Sequence, residues 1–176
     1  MLNEFTIRAA QIEDAPGIAF VKYDGWQKTY RGIVDDAFLN AMSLEKETAR
    51  WKQIIPQPLG FHLVLVNKNS EIIGFISGGK SRPNELNCEA EVYAFYLLQQ
   101  YHGQGLGKKV FRHVLHLFQE AGYRSFCVYV LTKNPALRFY QSFKPDKRVD
   151  VKEKIGDREY DDTGLGWSSI KNFFAE

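Results

Sequence analysis

A chain of 176 residues in which 44% are apolar is long enough to bury the core of one domain of ordinary size, so we treat residues 1–176 as a single domain. Its 23 basic and 21 acidic residues leave a formal charge of +2, which excludes a global field that would attract nucleic acid or a membrane surface. With no apolar run of membrane-spanning length and no secretion-signal pattern at the N-terminus, the sequence predicts a cytoplasmic protein.

The first half of the chain alternates between short strand patterns and helical patterns. Its predicted elements are a strand over 4–9, helices that begin near Glu13, near Asp35 and at Ser43, and strands over 61–66 and 72–78. Pro56 and Pro58 end the third helix. The polar cluster at 67–70 is turn chemistry, which predicts an antiparallel hairpin.

The second half begins with an unbroken apolar run that is typical of a strand covered on both faces. The predicted elements are a strand over 92–98, a helix ending near Gly122, a strand over 125–131, a helix over 134–142 and strands over 147–154 and 159–167. Strand, helix and strand in this order imply a right-handed parallel crossover. The sequence therefore predicts a mixed α+β fold whose central sheet has about seven strands, both antiparallel and parallel, flanked by helices.

Three glycines, Gly103, Gly105 and Gly107, precede Lys108 at the junction between the central strand and its helix. A helix N-terminus carries unpaired N–H groups and partial positive charge, so this turn is suited to hold a phosphate or pyrophosphate. The spacing matches neither a phosphate-binding P-loop, which needs a serine or threonine after the lysine, nor a dinucleotide fingerprint. A turn that only tightens the strand-to-helix connection is the remaining alternative.

Three segments in the same order resemble the GNAT superfamily of N-acetyltransferases, in particular bacterial members without an assigned substrate. Q-x-x-G-x-G from Gln100 to Gly105 is similar to the family's acetyl-CoA signature. NPALRFYQSF at 134–143 is similar to its N-x-x-A-x-x-F-Y segment, and WQKTYRGIVDDAFL at 26–39 resembles a W-x-x-x-Y-R-G-I stretch. The resemblance implies the GNAT fold, acetyl-CoA as co-substrate and no metal.

The resemblance also assigns residues to the cofactor. It implies that the turn holds the pyrophosphate of acetyl-CoA and that the central strand pairs with the pantetheine arm, with a main-chain N–H near Leu97 or Leu98 polarising the thioester carbonyl. The implied cofactor-binding residues are Leu97, Leu98, Gln100, Gly103, Gln104, Gly105, Leu106, Gly107, Lys108 and Asn134.

Three residues are candidates for proton transfer. By the resemblance Tyr140 donates a proton to the departing coenzyme A sulfur, which suits a group that is protonated at neutral pH. Glu91 is the favoured base and Glu89 the second choice, because both are expected on one face of the central strand. The alternative is that Glu91 and Glu89 lie at the solvent-exposed beginning of that strand and have no catalytic role. The turn after Tyr140 lacks the family's usual glycine, which leaves open a module that binds acetyl-CoA without turning it over.

The acceptor is expected to be the amine of a small molecule or a peptide, and Trp26 and Tyr30 are its candidate contacts, with core packing as the alternative. The sequence predicts no nucleic-acid or membrane partner and leaves a homodimer open. His113 and His116 have no third ligand and are assigned no metal. Cys88 and Cys127 are expected to be reduced thiols in or near the core.

Overall fold

The computed structural model describes residues 5–58 and 60–174, which build one seven-stranded sheet with helices on both faces. The strands are β1 (Phe5–Ala9), β2 (Phe61–Asn67), β3 (Ile72–Lys80), β4 (Ala90–Leu97), β5 (Phe126–Leu131), β6 (Lys147–Ile155) and β7 (Arg158–Trp167). The helices are α1 (Ala15–Thr29), α2 (Asp36–Ala41), α3 (Leu44–Ile54), α4 (Leu106–Glu120) and α5 (Leu137–Gln141). The predicted α+β architecture is confirmed, although Glu4 of the predicted first strand lies outside the described residues.

The strand order is β1-β2-β3-β4-β5-β7-β6, and every neighbouring pair is antiparallel except β4 and β5. Helices α1 and α3 pack on one face, and α4 packs on the other through its buried apolar stripe. Both cysteines are free and buried. None of the helices in the described part of the chain has the length and apolarity needed to cross a membrane.

Along its pairing with β3, strand β4 contains one residue more than β3 does. Ser77 of β3 lies opposite Ala94, but Gly78 lies opposite Val92, so Tyr93 has no partner and forms a bulge. The bulge reverses the alternation of side chains along the strand. Val92 and Phe95 both face α4, whereas Ala94 packs with the α1 side of the sheet.

β4 and β5 stay together only at their beginnings. Their parallel pairing runs from Ala90 opposite Phe126 to Val92 opposite Val128 and then stops. Beyond it the two strands separate, and we call the space between 93–97 and 129–131 the strand gap. The backbone of β4 that faces this gap is not paired with β5.

Two boundaries differ from the sequence predictions. β4 begins at Ala90 rather than residue 92, because the charged Glu91 interrupts the apolar pattern that we used to define the strand. The helix predicted over 134–142 is the five-residue α5, since Asn134 forms a turn in which its side chain accepts a hydrogen bond from the N–H of Ala136 at 2.9 Å. Asn134 therefore precedes the helix without capping it.

Candidate active site

A cleft of ≈ 1740 Å³ opens along the strand gap and connects the N-terminus of α4 with the C-terminal half of α1. Most predicted site residues line it, namely Trp26, Tyr30, Glu91, Leu97, Gly103, Gly105, Gly107, Lys108, Asn134 and Tyr140. Leu98, Gln100, Gln104, Leu106 and Glu89 do not line it. Within the described residues no group of three histidine, cysteine or acidic side chains could hold a metal ion.

The glycine turn forms the anion-binding end of the cleft. Gly103 and Gly105 have φ angles of 73° and 77°, a left-handed conformation that glycine adopts without the clash of a Cβ atom. The N–H of Lys109 donates to the carbonyl of Gly105 at 3.3 Å, so the N–H groups before Lys109 lie in the open first turn of α4. Gln104 closes the turn by donating to the carbonyl of Gln100 at 2.9 Å.

Gly107 has a different role from its two neighbours. A Cβ atom there would lie 3.2 Å from the ring of Phe139 in α5. This glycine therefore allows α4 and α5 to approach closely beside the cleft, which brings the helix that carries Tyr140 towards the anion-binding end.

Only alternate backbone groups of β4 are available in the strand gap. The N–H of Leu98 donates to the carbonyl of Ile73 in β3 at 2.9 Å, so it is not free to polarise a thioester, contrary to one of the two predicted possibilities. Because hydrogen-bonded pairs alternate along an antiparallel ladder, the N–H groups of Phe95 and Leu97 point away from β3 into the gap. The carbonyl of Leu97 is bonded to Nε2 of His102 at 2.8 Å, a contact that sequence reasoning missed.

Tyr140 lines the cleft from α5 and is 7% exposed. Burial and the nearby hydroxyl of Tyr30 raise the pKa of Tyr140 above its ordinary value, so the phenol keeps its proton at neutral and moderately alkaline pH. The turn that lacks the expected glycine closes because Lys144 itself adopts a left-handed conformation, with φ of 52°. The carbonyl of Phe143 is also fixed by the indole N–H of Trp167 at 2.8 Å. The altered turn thus leaves Tyr140 in the cleft.

Trp26 and Tyr30 form an aromatic wall whose polar atoms are held in place. The indole N–H of Trp26 donates to the hydroxyl of Tyr96 at 2.9 Å. The side-chain amide of Asn134 donates to the hydroxyl of Tyr30 at the same distance. Asn134 was predicted as a cofactor contact, but its amide orients Tyr30 in this structure.

The structure separates the two glutamates that we expected on one face of the strand. Glu91 is 1% exposed, and both of its oxygens accept hydrogen bonds from Arg82, through Nε at 3.1 and 3.2 Å, the backbone N–H at 3.1 Å, and the guanidinium Nη2. Its carboxylate is therefore neutralised and fully bonded. As a base it would first have to release Arg82.

Glu89 precedes β4 and lies outside the cleft, so the expectation that it shares a strand face with Glu91 is wrong. Its carboxylate accepts from the backbone N–H of Arg124 at 2.7 Å and from the guanidinium at 2.8 Å. The hydrogen bond from the Arg124 side chain is the main reason that the pKa of Glu89 is lowered. This pairing fastens the start of β4 to the segment before β5.

Asp162 of β7 also lines the cleft and was not predicted. It is 5% exposed, and burial together with the negative charge of Glu153 raises its pKa to about 6. The pair Asp161-Asp162 within a strand pattern was the available signal, because consecutive strand residues point to opposite faces and one of the two carboxylates must point inwards.

Comparisons with known proteins agree with this geometry. Residues 26–144 match the acetyltransferase (GNAT) family model. The uncharacterized N-acetyltransferase YuaI of Bacillus subtilis is 29% identical over 165 residues, covering 94% of each chain. The fold is similar to PaiA N-acetyltransferase from Thermoplasma acidophilum in complex with coenzyme A, with a TM-score of 0.69, 21% identity and coverage of 91% and 98%. It is also similar to YncA from Salmonella typhimurium with acetyl-CoA, with a TM-score of 0.68, 18% identity and 94% coverage of each chain.

Proposed function

Since the chain belongs to the GNAT family of acetyltransferases, we propose that it moves an acetyl group from acetyl-CoA to the amine of a small molecule or a peptide. The observation behind this proposal is that a glycine-lined helix N-terminus and a strand gap with unpaired N–H groups open into one cleft. The complexes of PaiA with coenzyme A and of YncA with acetyl-CoA support the choice of donor.

The residues of the anion-binding end fit a pyrophosphate. Nothing lies within 4 Å of where a Cβ atom would stand on Gly103 or Gly105, so an anion can reach the backbone there. The N–H groups of residues 104–108 would hold the pyrophosphate, with Lys108 at its rim. The N–H group of Phe95 would bind the pantetheine arm. Bound acetyl-CoA would supply an activated acetyl group as a thioester.

Two groups of the protein act on the thioester in this proposal. The N–H of Leu97 donates a hydrogen bond to the carbonyl oxygen as negative charge develops on it, a contact worth roughly 2 to 4 kcal/mol in other enzymes. Tyr140 donates its proton to the departing sulfur. Its raised pKa keeps the donor form populated throughout the pH range in which amines are acetylated.

Calorimetric titration with acetyl-CoA, followed by a thiol-release assay with a panel of amines, tests the proposal. The panel contains a diamine, amino acids, an aminoglycoside and a short peptide with a free N-terminus. We expect saturable binding of acetyl-CoA and release of coenzyme A with at least one amine. Absence of binding at millimolar acetyl-CoA would contradict the proposal.

The variant Gly105→Ala tests the anion-binding end. Alanine in a left-handed conformation costs about 1 to 2 kcal/mol, so the turn should leave its binding geometry and the Kd for acetyl-CoA should rise roughly tenfold. Gly122→Ala is the matched control. It has a similar φ of 87° and equally open surroundings but lies at the far end of α4, so it should lose comparable stability without changing the Kd. Equal acetyl-CoA affinities in the two variants would exclude the turn from binding.

A further inference from the structure

Asp162 is placed in the wall of the cleft by the central part of the sheet. It lies opposite Leu131 at the end of β5 and opposite Val151 of β6. It is on the sheet face that α1 covers, because Leu131 packs there with Tyr30. This position is beside the strand gap, on the same side as the aromatic wall formed by Trp26 and Tyr30.

The carboxylate of Asp162 lacks a cationic partner. Across 5–58 and 60–174 no side chain makes a hydrogen bond or an ion pair to it, and its one polar contact is the backbone N–H of Thr163. The ionisable groups that face it are Glu153 from β6, Tyr30 directly after α1 and Arg82 from the loop before β4. The guanidinium of Arg82 is already bonded to Glu91.

A carboxylate without a cation is costly to keep on a residue that is only 5% exposed, as Asp162 is. The two glutamates that were predicted as bases are both compensated, since Arg82 binds Glu91 and Arg124 binds Glu89. Among the described residues, Glu91 and Asp162 are the two buried acidic residues that line the cleft, and of these Asp162 is the one that remains available to a positively charged ligand.

We propose that Asp162, rather than Glu91, binds the ammonium group of the acceptor and takes its proton before attack, a role that rests on the N-acetyl transfer proposed above. Glu85 and Glu153 also line the cleft. The negative charge of Glu153 beside Asp162 favours a primary alkyl amine that carries a further positive charge. An acceptor with a carboxylate beside the reacting nitrogen would be repelled.

The proton and electron count of the step is balanced. The ammonium gives one proton to Asp162, and the freed electron pair of the nitrogen forms a C–N bond at the acetyl carbonyl carbon. The C–S bond breaks and its electron pair leaves with sulfur, which takes the proton of Tyr140. The second nitrogen proton restores Tyr140, and Asp162 passes its proton to water. The net products are the acetamide, the free thiol and one proton.

The burial of Asp162 has a measurable consequence for stability. Its pKa is about 6 in the folded protein, above the ordinary value of an exposed aspartate, which is about 4. The folded state therefore holds a proton between these two values that the unfolded chain has lost, so stability falls as the pH rises through this window. Asp162→Asn should remove this loss and melt at a higher temperature than the wild type above pH 6, and the difference should shrink towards pH 4.

The kinetic test uses acetyl-CoA and 1,4-diaminobutane as the probe. For the wild type, kcat/KM should rise with pH through an acidic limb near pH 6. Asp162→Asn should lower kcat/KM about 100-fold and abolish that limb, while the Kd for acetyl-CoA stays within about threefold. The matched control is Asp161→Asn, since this neighbour faces outwards and is paired with Lys152, and it should retain the wild-type profile.

Three outcomes would overturn the inference about Asp162. An Asp162→Asn variant with wild-type kcat/KM or an unchanged acidic limb excludes Asp162 as the base. A variant that melts below the wild type at pH 8, or does not fold, shows that the carboxylate is kept for structure. A wild type that binds acetyl-CoA but releases no thiol with 1,4-diaminobutane excludes the cationic acceptor. Failure to bind acetyl-CoA would instead reject the proposed function itself.

Discussion

Turnover by the Tyr140→Phe variant is expected to fall about 100-fold or more, with little change in the Kd for acetyl-CoA. The substitution removes one hydroxyl and keeps the ring that packs against Phe111 and Phe139, so the fold and the cleft should persist. Without the phenol the thiolate must leave unprotonated or take its proton from water, and loss of a general acid typically costs 10²- to 10⁴-fold. Steady-state kinetics with calorimetric titration separates the two effects.

Tyr160→Phe is a suitable control for the loss of a tyrosine hydroxyl. The hydroxyl of Tyr160 accepts a hydrogen bond from the N–H of Asp35 at 2.9 Å, and the residue does not line the cleft. Its loss should cost about 1 kcal/mol of stability and leave kcat unchanged. A Tyr140→Phe variant with a kcat within twofold of the wild type would remove Tyr140 from the mechanism.

The Arg82→Ala variant is expected to lose about 2 to 3 kcal/mol of folding stability. Removing the guanidinium leaves the carboxylate of Glu91, whose side chain is 2% exposed, buried without a cation. Breaking a fully buried pair costs about 3 to 5 kcal/mol, and we take a lower value because the Arg82 side chain is 68% exposed and its charge is partly screened by water. Urea unfolding at pH 7 measures the change.

The double variant Arg82→Ala/Glu91→Gln completes this experiment. Once the charge at position 91 is removed, the absence of Arg82 should matter much less, so the double variant should recover most of the lost stability. If it unfolds as readily as Arg82→Ala, the pairing is not the reason for the loss. Recovery would identify Glu91 as a residue that fastens β4 to the preceding loop.

The sequence predicted the fold well where local patterns decide the structure. The alternation and apolar runs of the strands and the apolar stripe of α4 arise from burial of one face, which spacing along the chain reveals directly. The glycine turn was also predicted from a local pattern. The structure shows left-handed backbone at Gly103 and Gly105, a conformation that glycine adopts without strain. Most residues assigned through the family resemblance also line the cleft.

The remaining features depend on contacts between distant parts of the chain. No local pattern reveals that Glu91 is neutralised by Arg82 or that the amide of Asn134 turns to Tyr30. Asp162 was missed because its importance comes from what it lacks, a cationic partner in a buried wall, and this is visible only after β5, β6 and β7 are assembled. Leu98 was wrongly allowed as a thioester contact because the phase of the β3–β4 ladder is not encoded in either strand alone.

The bulge at Tyr93 makes one residue of β4 dispensable to the pattern of the sheet. If Tyr93 were deleted, Val92 and Ala94 would become neighbours on opposite sheet faces, which is the alternation of a regular strand. Tyr96, whose hydroxyl accepts from Trp26 on the α1 side, and Phe95, which packs beneath α4, would both keep their faces. We therefore expect a single-codon deletion of Tyr93 to preserve the packing of β4 on both sides and to remove the extra twist that a bulge gives a strand.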